Sequence, residues 1–177
     1  MNIFIVDKDP AKAAQMLPDR HVVKMILETC QMLSVIYSPW YHNWGVLHKK
    51  DGTFYATEKG AFRNHPCTKW AAENHYNLAW LISHGIGLCF EYTERYSKFH
   101  SCQETIGEAM AIFHSCSNGV AVSDYKQVNN FVRAMPDEYK LDTSIDDVTA
   151  YRMYVASKPW VSSNYLRKPE RKPDWVQ

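Results

Sequence analysis

Cysteine is sparse and never paired in this chain. Cys30, Cys67, Cys89, Cys102 and Cys116 are odd in number, and no two stand as C-x-x-C. That pattern fits buried, reduced thiols better than a disulfide framework or a zinc finger. None of the eight histidines sits in H-E-x-x-H, and no His/Cys set has the close spacing of metal ligands. His21, His65 and His100 are the set that could converge in space, but nothing in the pattern requires it, and neither a metal nor a cofactor is expected. The absence of a P-loop, of G-x-G-x-x-G and of G-x-S-x-G removes support for nucleotide hydrolysis and for hydrolase-elbow chemistry. No apolar run approaches the roughly 20 residues that cross a bilayer, and no basic segment leads into a long apolar one. A soluble, cytoplasmic protein is the expectation.

What is present is a core. The chain has 177 residues, 46% hydrophobic and 14% aromatic, enough for one compact domain and too few for two comfortable ones. Net charge is only +1, but it is unevenly placed. Residues 1–150 carry 14 Lys/Arg against 17 Asp/Glu, and residues 151–177 carry 6 against 2. The end of the chain, NYLRKPERKPDW, interleaves Arg167, Lys168, Arg171 and Lys172 with Tyr165 and Trp175. Such a segment suits tracking of phosphates with stacking on bases, or else is a solvated, proline-broken tail.

The periodicity predicts a mostly α fold, a single helical domain over residues 1–177, in which MNIFIVD leaves room for one short N-terminal strand. Asp9-Pro10 opens a short helix over PAKAAQML, and Asp19 is the expected cap of a long helix ending near Tyr37, ahead of Ser38-Pro39. Residues 38–65 read as an irregular, hairpin-like excursion. A second long helix is expected from Pro66 to about His84, a third from about Ile86 to Phe99 after the GIG break, another over 101–118, and one more near SIDDVTAYRMYVAS. A basic and aromatic segment closes the chain at about 160–177.

Two stripes could carry chemistry. In DRHVVKMILETCQML, His21, Lys24, Glu28 and Gln31 fall within an arc of roughly 80° on an otherwise apolar helix. They form either a solvated face with an ordinary Lys–Glu pair or the wall of a cleft. In a cleft the lysine is a nucleophilic amine, the glutamate a general acid/base or charge stabiliser, and the histidine a proton carrier. On the second helix Glu73, Asn77, Trp80 and His84 share a face that would hydrogen-bond and stack on a planar ligand. The alternative there is a core Trp80 and a Lys69–Glu73 pair. Glu91–Arg95 and Glu94–Lys98 read as surface pairs. Tyr92 and Tyr96 are either core or a stacking surface.

MNIFIVDKDPAKAAQ, DRHVVKMILETCQML, NHPCTKWAAEN, EYTERYSKFH, and AMPDEYK with AYRMY together resemble a phage-encoded family labelled pyrimidine-dimer DNA glycosylase. The resemblance spans most of the chain outside residues 38–62 and 101–130, and Arg20 stands where the family motif has a lysine. It implies a DNA-repair glycosylase with AP-lyase activity. An amine attacks C1′ of the damaged nucleotide, a carboxylate faces the developing sugar cation, and the resulting imine permits strand cleavage by β-elimination. In small phage dimer glycosylases the amine is the chain's own terminus after removal of the initiator Met. Asn2 is bulky enough to make that removal inefficient, so Lys24 is the expected amine, with Glu28 as carboxylate and His21 as proton carrier. Gln31, His65, Trp70, Glu73, Asn77, Trp80 and Tyr96 are the expected substrate contacts. Trp70, Trp80 or Tyr96 would fill the gap left by a displaced base. Arg20, Arg95, Arg167, Lys168, Arg171 and Lys172 would meet phosphates of double-stranded DNA carrying damaged bases. The protein would act as a monomer in the host cytoplasm. A pocket for a free nucleotide or modified base, and a non-catalytic DNA-binding phage protein, are the competing readings.

Overall fold

The Asp9 carboxylate accepts the backbone N–H groups of Ala11 and Lys12 at 2.9 and 3.0 Å, and Pro10 fills the first helical position. These residues start α1, Pro10–Met16, in the computed structural model, which describes residues 1–177. Helix α2, Asp19–Tyr37, follows Pro18 directly. Asp19 is its first residue rather than its cap, and its carboxylate holds other partners, described below. Helices α3 (Pro66–Glu73), α4 (His75–Tyr96), α5 (Gln103–Cys116), α6 (Asp137–Lys140) and α7 (Asp147–Ala156) complete the set, with short 3-10 turns at Val122–Gln127 and Pro169–Arg171. No helix is long and apolar enough to cross a membrane.

The N-terminal strand does not form. Asn2 Oδ1 accepts the N–H groups of Ile3 and Phe4 at 2.7 and 3.0 Å, and Phe4 takes a positive φ of 42°. A chain turned back on itself in this way cannot pair as a strand. Ile3, Ile5 and Val6 enter the core as an irregular segment instead.

The break between the second and third helices is also displaced. Asn74, extended at φ −156° and ψ 165°, ends α3, and its side chain caps α4 through the N–H of Asn77 at 2.9 Å. Helix α4 then runs straight through Gly85-Ile86-Gly87. These glycines are contact surfaces, not punctuation. A Cβ on Gly87 would stand 3.2 Å from Ala11 Cα of α1, and one on Gly85 would stand 3.0 Å from both Ile106 and Thr29. Close helix crossing requires the missing side chains, and α4 is accordingly the hub that α1, α2, α3 and α5 pack against. Trp80 is fully buried on it, with Nε1 donating to the Lys8 carbonyl at 2.8 Å, so this indole is core and not a substrate contact.

Glu91 and Arg95 are a buried pair, not a surface one. Arg95 Nε donates to Glu91 at 2.9 Å, and its other nitrogens reach Asp19 at 3.0 Å and the carbonyls of Leu17 and Gln15 at 2.8 and 2.9 Å. With its side chain wholly buried and its donors engaged, Arg95 does not reach phosphates. Arg171 adds a bond to Glu91 at 3.1 Å, and Asp19 Oδ2 accepts the N–H groups of Leu166 and Arg167 at 2.9 and 3.2 Å. This network straps the end of the chain across the start of α2. All five cysteines are free; Cys30 and Cys67 are wholly buried, Cys89 and Cys102 nearly so, and Cys116 is the most exposed.

Candidate active site at the start of the chain

Helix α2 presents Arg20, Val23, Lys24 and Leu27 to solvent, while His21 and Glu28 turn inward at the edge of that face. The predicted stripe is therefore split. Lys24 is two-thirds exposed, its side chain retaining 68% of its accessible surface, so its ammonium stands in water. Glu28 is buried, with 8% left. Gln31 is half-buried on the next turn.

Glu28 is built into the first residues of the chain. The Asn2 N–H donates to Glu28 Oε2 at 2.9 Å, and Asn2 is itself fixed by a 2.6 Å bond from its side-chain amide to the Ala134 carbonyl. Met1 is anchored through its side chain, which packs on the core and lies 3.9 Å from the Thr68 hydroxyl. The result is a terminal amine 3.6 Å from Glu28 Oε2, while Lys24 Nζ is 3.1 Å from Oε1. Two amines thus share one buried carboxylate, one on each oxygen. His65, whose ring nitrogen caps α3 through the Cys67 N–H, is close enough for the terminal amine's charge to add to burial in lowering its pKa.

An aromatic wall closes the other side. His21 stacks on Phe4, with centroids 4.1 Å apart and planes at 14°, and meets the edge of Trp160 at 5.4 Å. Tyr154 stands 6.1 Å from Phe4, with Lys158 Nζ 4.0 Å above the Tyr154 ring. The Arg20 guanidinium lies over Trp160 at 5.1 Å. Burial, and then the charges of Lys158 and Lys24, push His21 down to about 3, so its ring is neutral across the neutral range. Met1, Glu28, Lys24, His21, Phe4 and Tyr154 face a cleft of about 240 Å³.

The other expected contacts lie elsewhere. Trp70, Glu73 and Asn77 line a larger cavity of about 850 Å³ between α3 and residues 127–132, in which Trp70 donates to the Asn130 carbonyl at 2.9 Å. This cavity does not contain the two amines or Glu28. Tyr96 stacks on Tyr92 at 4.7 Å, with Arg167 over its ring at 5.3 Å, at the far end of α4. Lys168 pairs with Glu94 at 3.7 Å and Lys172 reaches the Ser162 hydroxyl at 3.1 Å, so the basic end is largely tied down internally. Asn2, Phe4, Tyr154, Lys158 and Trp160 are site residues that sequence reasoning missed. The available signal was weak: a lysine and a tryptophan flanking Pro159, just ahead of the basic segment.

Residues 1–104, more than half of the chain, match the family model described as pyrimidine dimer DNA glycosylase. The matched region contains Met1, Asn2, Phe4, His21, Lys24 and Glu28; Tyr154, Lys158 and Trp160 lie outside it. No curated protein and no solved structure matches the chain.

Proposed function

The chain belongs to the pyrimidine dimer DNA glycosylase family, and on that premise we propose that it excises UV-induced pyrimidine dimers from duplex DNA and cleaves the strand by an AP-lyase step. The observation that carries this reading is the pair of amines held on one buried glutamate, at 3.6 and 3.1 Å, beside a cleft. Of the two, the terminal amine is the better nucleophile. The Asn2–Glu28 hydrogen bond and the packed Met1 side chain fix it beside the cleft, so it is already positioned for attack on C1′. Lys24, exposed to water, has no such advantage and serves as the second positive charge on Glu28.

In this mechanism the amine nitrogen bonds to C1′ as the glycosidic bond breaks, and the freed base takes a proton while staying joined to its dimer partner. The C1′–O4′ bond then opens with a proton on O4′ to give the iminium. Glu28 stabilises the cationic sugar and then the iminium. Loss of the C2′ proton to a base expels the 3′ phosphate oxygen. The neutral ring of His21 supports Phe4 and the terminal segment by stacking, and Arg20 and Lys158 meet phosphates on either side. A second place for a planar group is the 850 Å³ cavity with Trp70, Glu73 and Asn77, which suits a nucleobase.

Borohydride trapping on duplex DNA carrying an abasic site or UV dimers, in chelator, tests the proposal. A covalent adduct that persists in Lys24→Ala, and maps to the first tryptic peptide, supports it. An adduct lost in Lys24→Ala moves the nucleophile to Lys24. No adduct and no cleavage on either substrate overturns the lyase reading.

A further inference from the structure

Away from the active-site cleft, a second cluster of reactive groups joins α2 to the start of α5. Cys102 is the N-cap residue of α5, a 14-residue helix whose N-terminal dipole favours a thiolate. Its sulfur lies 3.9 Å from the Tyr55 hydroxyl, which donates to it, and 4.0 Å from the Ser101 hydroxyl. Its backbone N–H is fixed by His100 Nδ1 at 3.1 Å. Cys30, wholly buried on α2, donates its thiol toward the Cys102 carbonyl at 3.7 Å, which sets the two cysteines side by side. Cys102 is the member of the pair that lines a cleft, of about 560 Å³, rimmed by Lys49 and Lys50.

We infer that Cys102 and Cys30 form a peroxide-responsive dithiol, with Cys102 the attacking sulfur and Cys30 the resolving one. The arrangement separates the two roles. Cys102 has cleft access, hydroxyl donors and two lysine charges nearby. Cys30 is wholly buried and takes no part in the lining of that cleft. The adjoining Cys30 thiol, together with His100 and the Tyr55 hydroxyl, holds the Cys102 thiol well below the usual thiol range against its burial, and Cys30 is raised by the same neighbour and by burial. The Cys102 thiolate attacks one oxygen of a hydroperoxide. The O–O bond breaks, the alcohol or water leaves with a proton, and sulfur is oxidised by two electrons to a sulfenic acid. Cys30 then attacks that sulfur, loses its proton and expels water, leaving a Cys30–Cys102 disulfide.

The test uses the reduced wild-type protein, hydrogen peroxide and peptide mapping, with the half-exposed Cys116 as the competitor inside the same molecule. Cys102 is expected to oxidise about tenfold faster than Cys116, since thiolate fraction and not exposure alone sets the rate. The product is a Cys30–Cys102 peptide pair. In Cys30→Ala the sulfenic acid persists and is trapped on Cys102 by dimedone; in Cys102→Ser, Cys30 stays reduced. Oxidation of Cys116 as fast as Cys102, or oxidised Cys102 without a link to Cys30 in wild type, would overturn the inference.

Discussion

The backbone N–H of Asn2 donates to Glu28 Oε2 at 2.9 Å, across 26 residues of sequence. This bond sets the distance between the terminal amine and its carboxylate, because it fixes the peptide next to Met1 against a helix that is itself anchored in the core. Glu28→Gln keeps an oxygen to accept the Asn2 N–H but removes the charge. Single-turnover cleavage of dimer-containing duplex should fall by about a hundredfold or more, while binding to the same duplex and the unfolding midpoint change little. Equal loss of binding and cleavage would assign Glu28 to DNA contact or folding alone.

Phosphate contact should follow exposure and not composition. Arg20 and Lys158 flank the cleft with their charges over aromatic rings, whereas Arg171 is bonded to Glu91 and Lys168 to Glu94. Replacing Arg20 or Lys158 by Ala should reduce the slope of log K against log salt by about 0.9 each, the counterion-release value for one duplex phosphate. Lys168→Ala should leave the slope unchanged. A slope that responds to Lys168 and not to Arg20 would move the DNA to the basic end of the chain.

The sequence spoke clearly wherever structure is local. Asp9-Pro10 opened α1 and the residues ahead of Pro39 closed α2, because caps and prolines act on neighbouring backbone. It misled at Gly85-Ile86-Gly87, where two glycines look like a break and instead admit α1 and α5 to α4. That meaning depends on Ala11 and Ile106, far away in sequence. Lys24 and Glu28 were visible as an i,i+4 pair within one helix. The pairing of Phe4 with Tyr154, 150 residues apart, has no local trace, so the aromatic wall apart from His21 was illegible. The same limit made Glu91–Arg95 look like a surface pair, since Asp19 and Arg171 bury it from other segments.

Glycine at position 87 should be hard to replace, and glycine at 107 easy. A Cβ at Gly87 meets Ala11 Cα, Ala14 Cβ and the Pro10 carbonyl oxygen at 3.2, 3.3 and 3.4 Å, all of them backbone or short side chain with little room to yield. Gly87→Ala should cost about 1–3 kcal/mol by forcing α1 off α4. Gly107 lies inside α5 with nothing within 4 Å of an added Cβ. There Gly107→Ala should gain about 0.5–1 kcal/mol from helix propensity. Urea unfolding of the two variants beside wild type reads both signs. If both substitutions stabilise, the α1–α4 contact is looser than its geometry.

Acid should weaken the fold through two buried histidines. His21 is lowered to about 3 by burial and by the charges of Lys158 and Lys24, and His84 to about 3 by burial, with both His84 ring nitrogens unpartnered and Trp80 stacked on it at 4.9 Å. Each ring stays neutral in the native state while its unfolded counterpart takes up a proton below about 6.5. The unfolded chain therefore binds more protons between about pH 6.5 and 3. Stability contributed by keeping these rings neutral is complete above that window and falls as pH drops through it. At pH 5 each histidine should cost about 2 kcal/mol relative to pH 7. His84→Phe retains the stacking on Trp80 and cannot protonate, so it should remove about 2 kcal/mol of the loss in urea-derived stability between pH 7 and pH 5. An unchanged pH dependence in that variant would mean that His84 is solvated or partnered in solution.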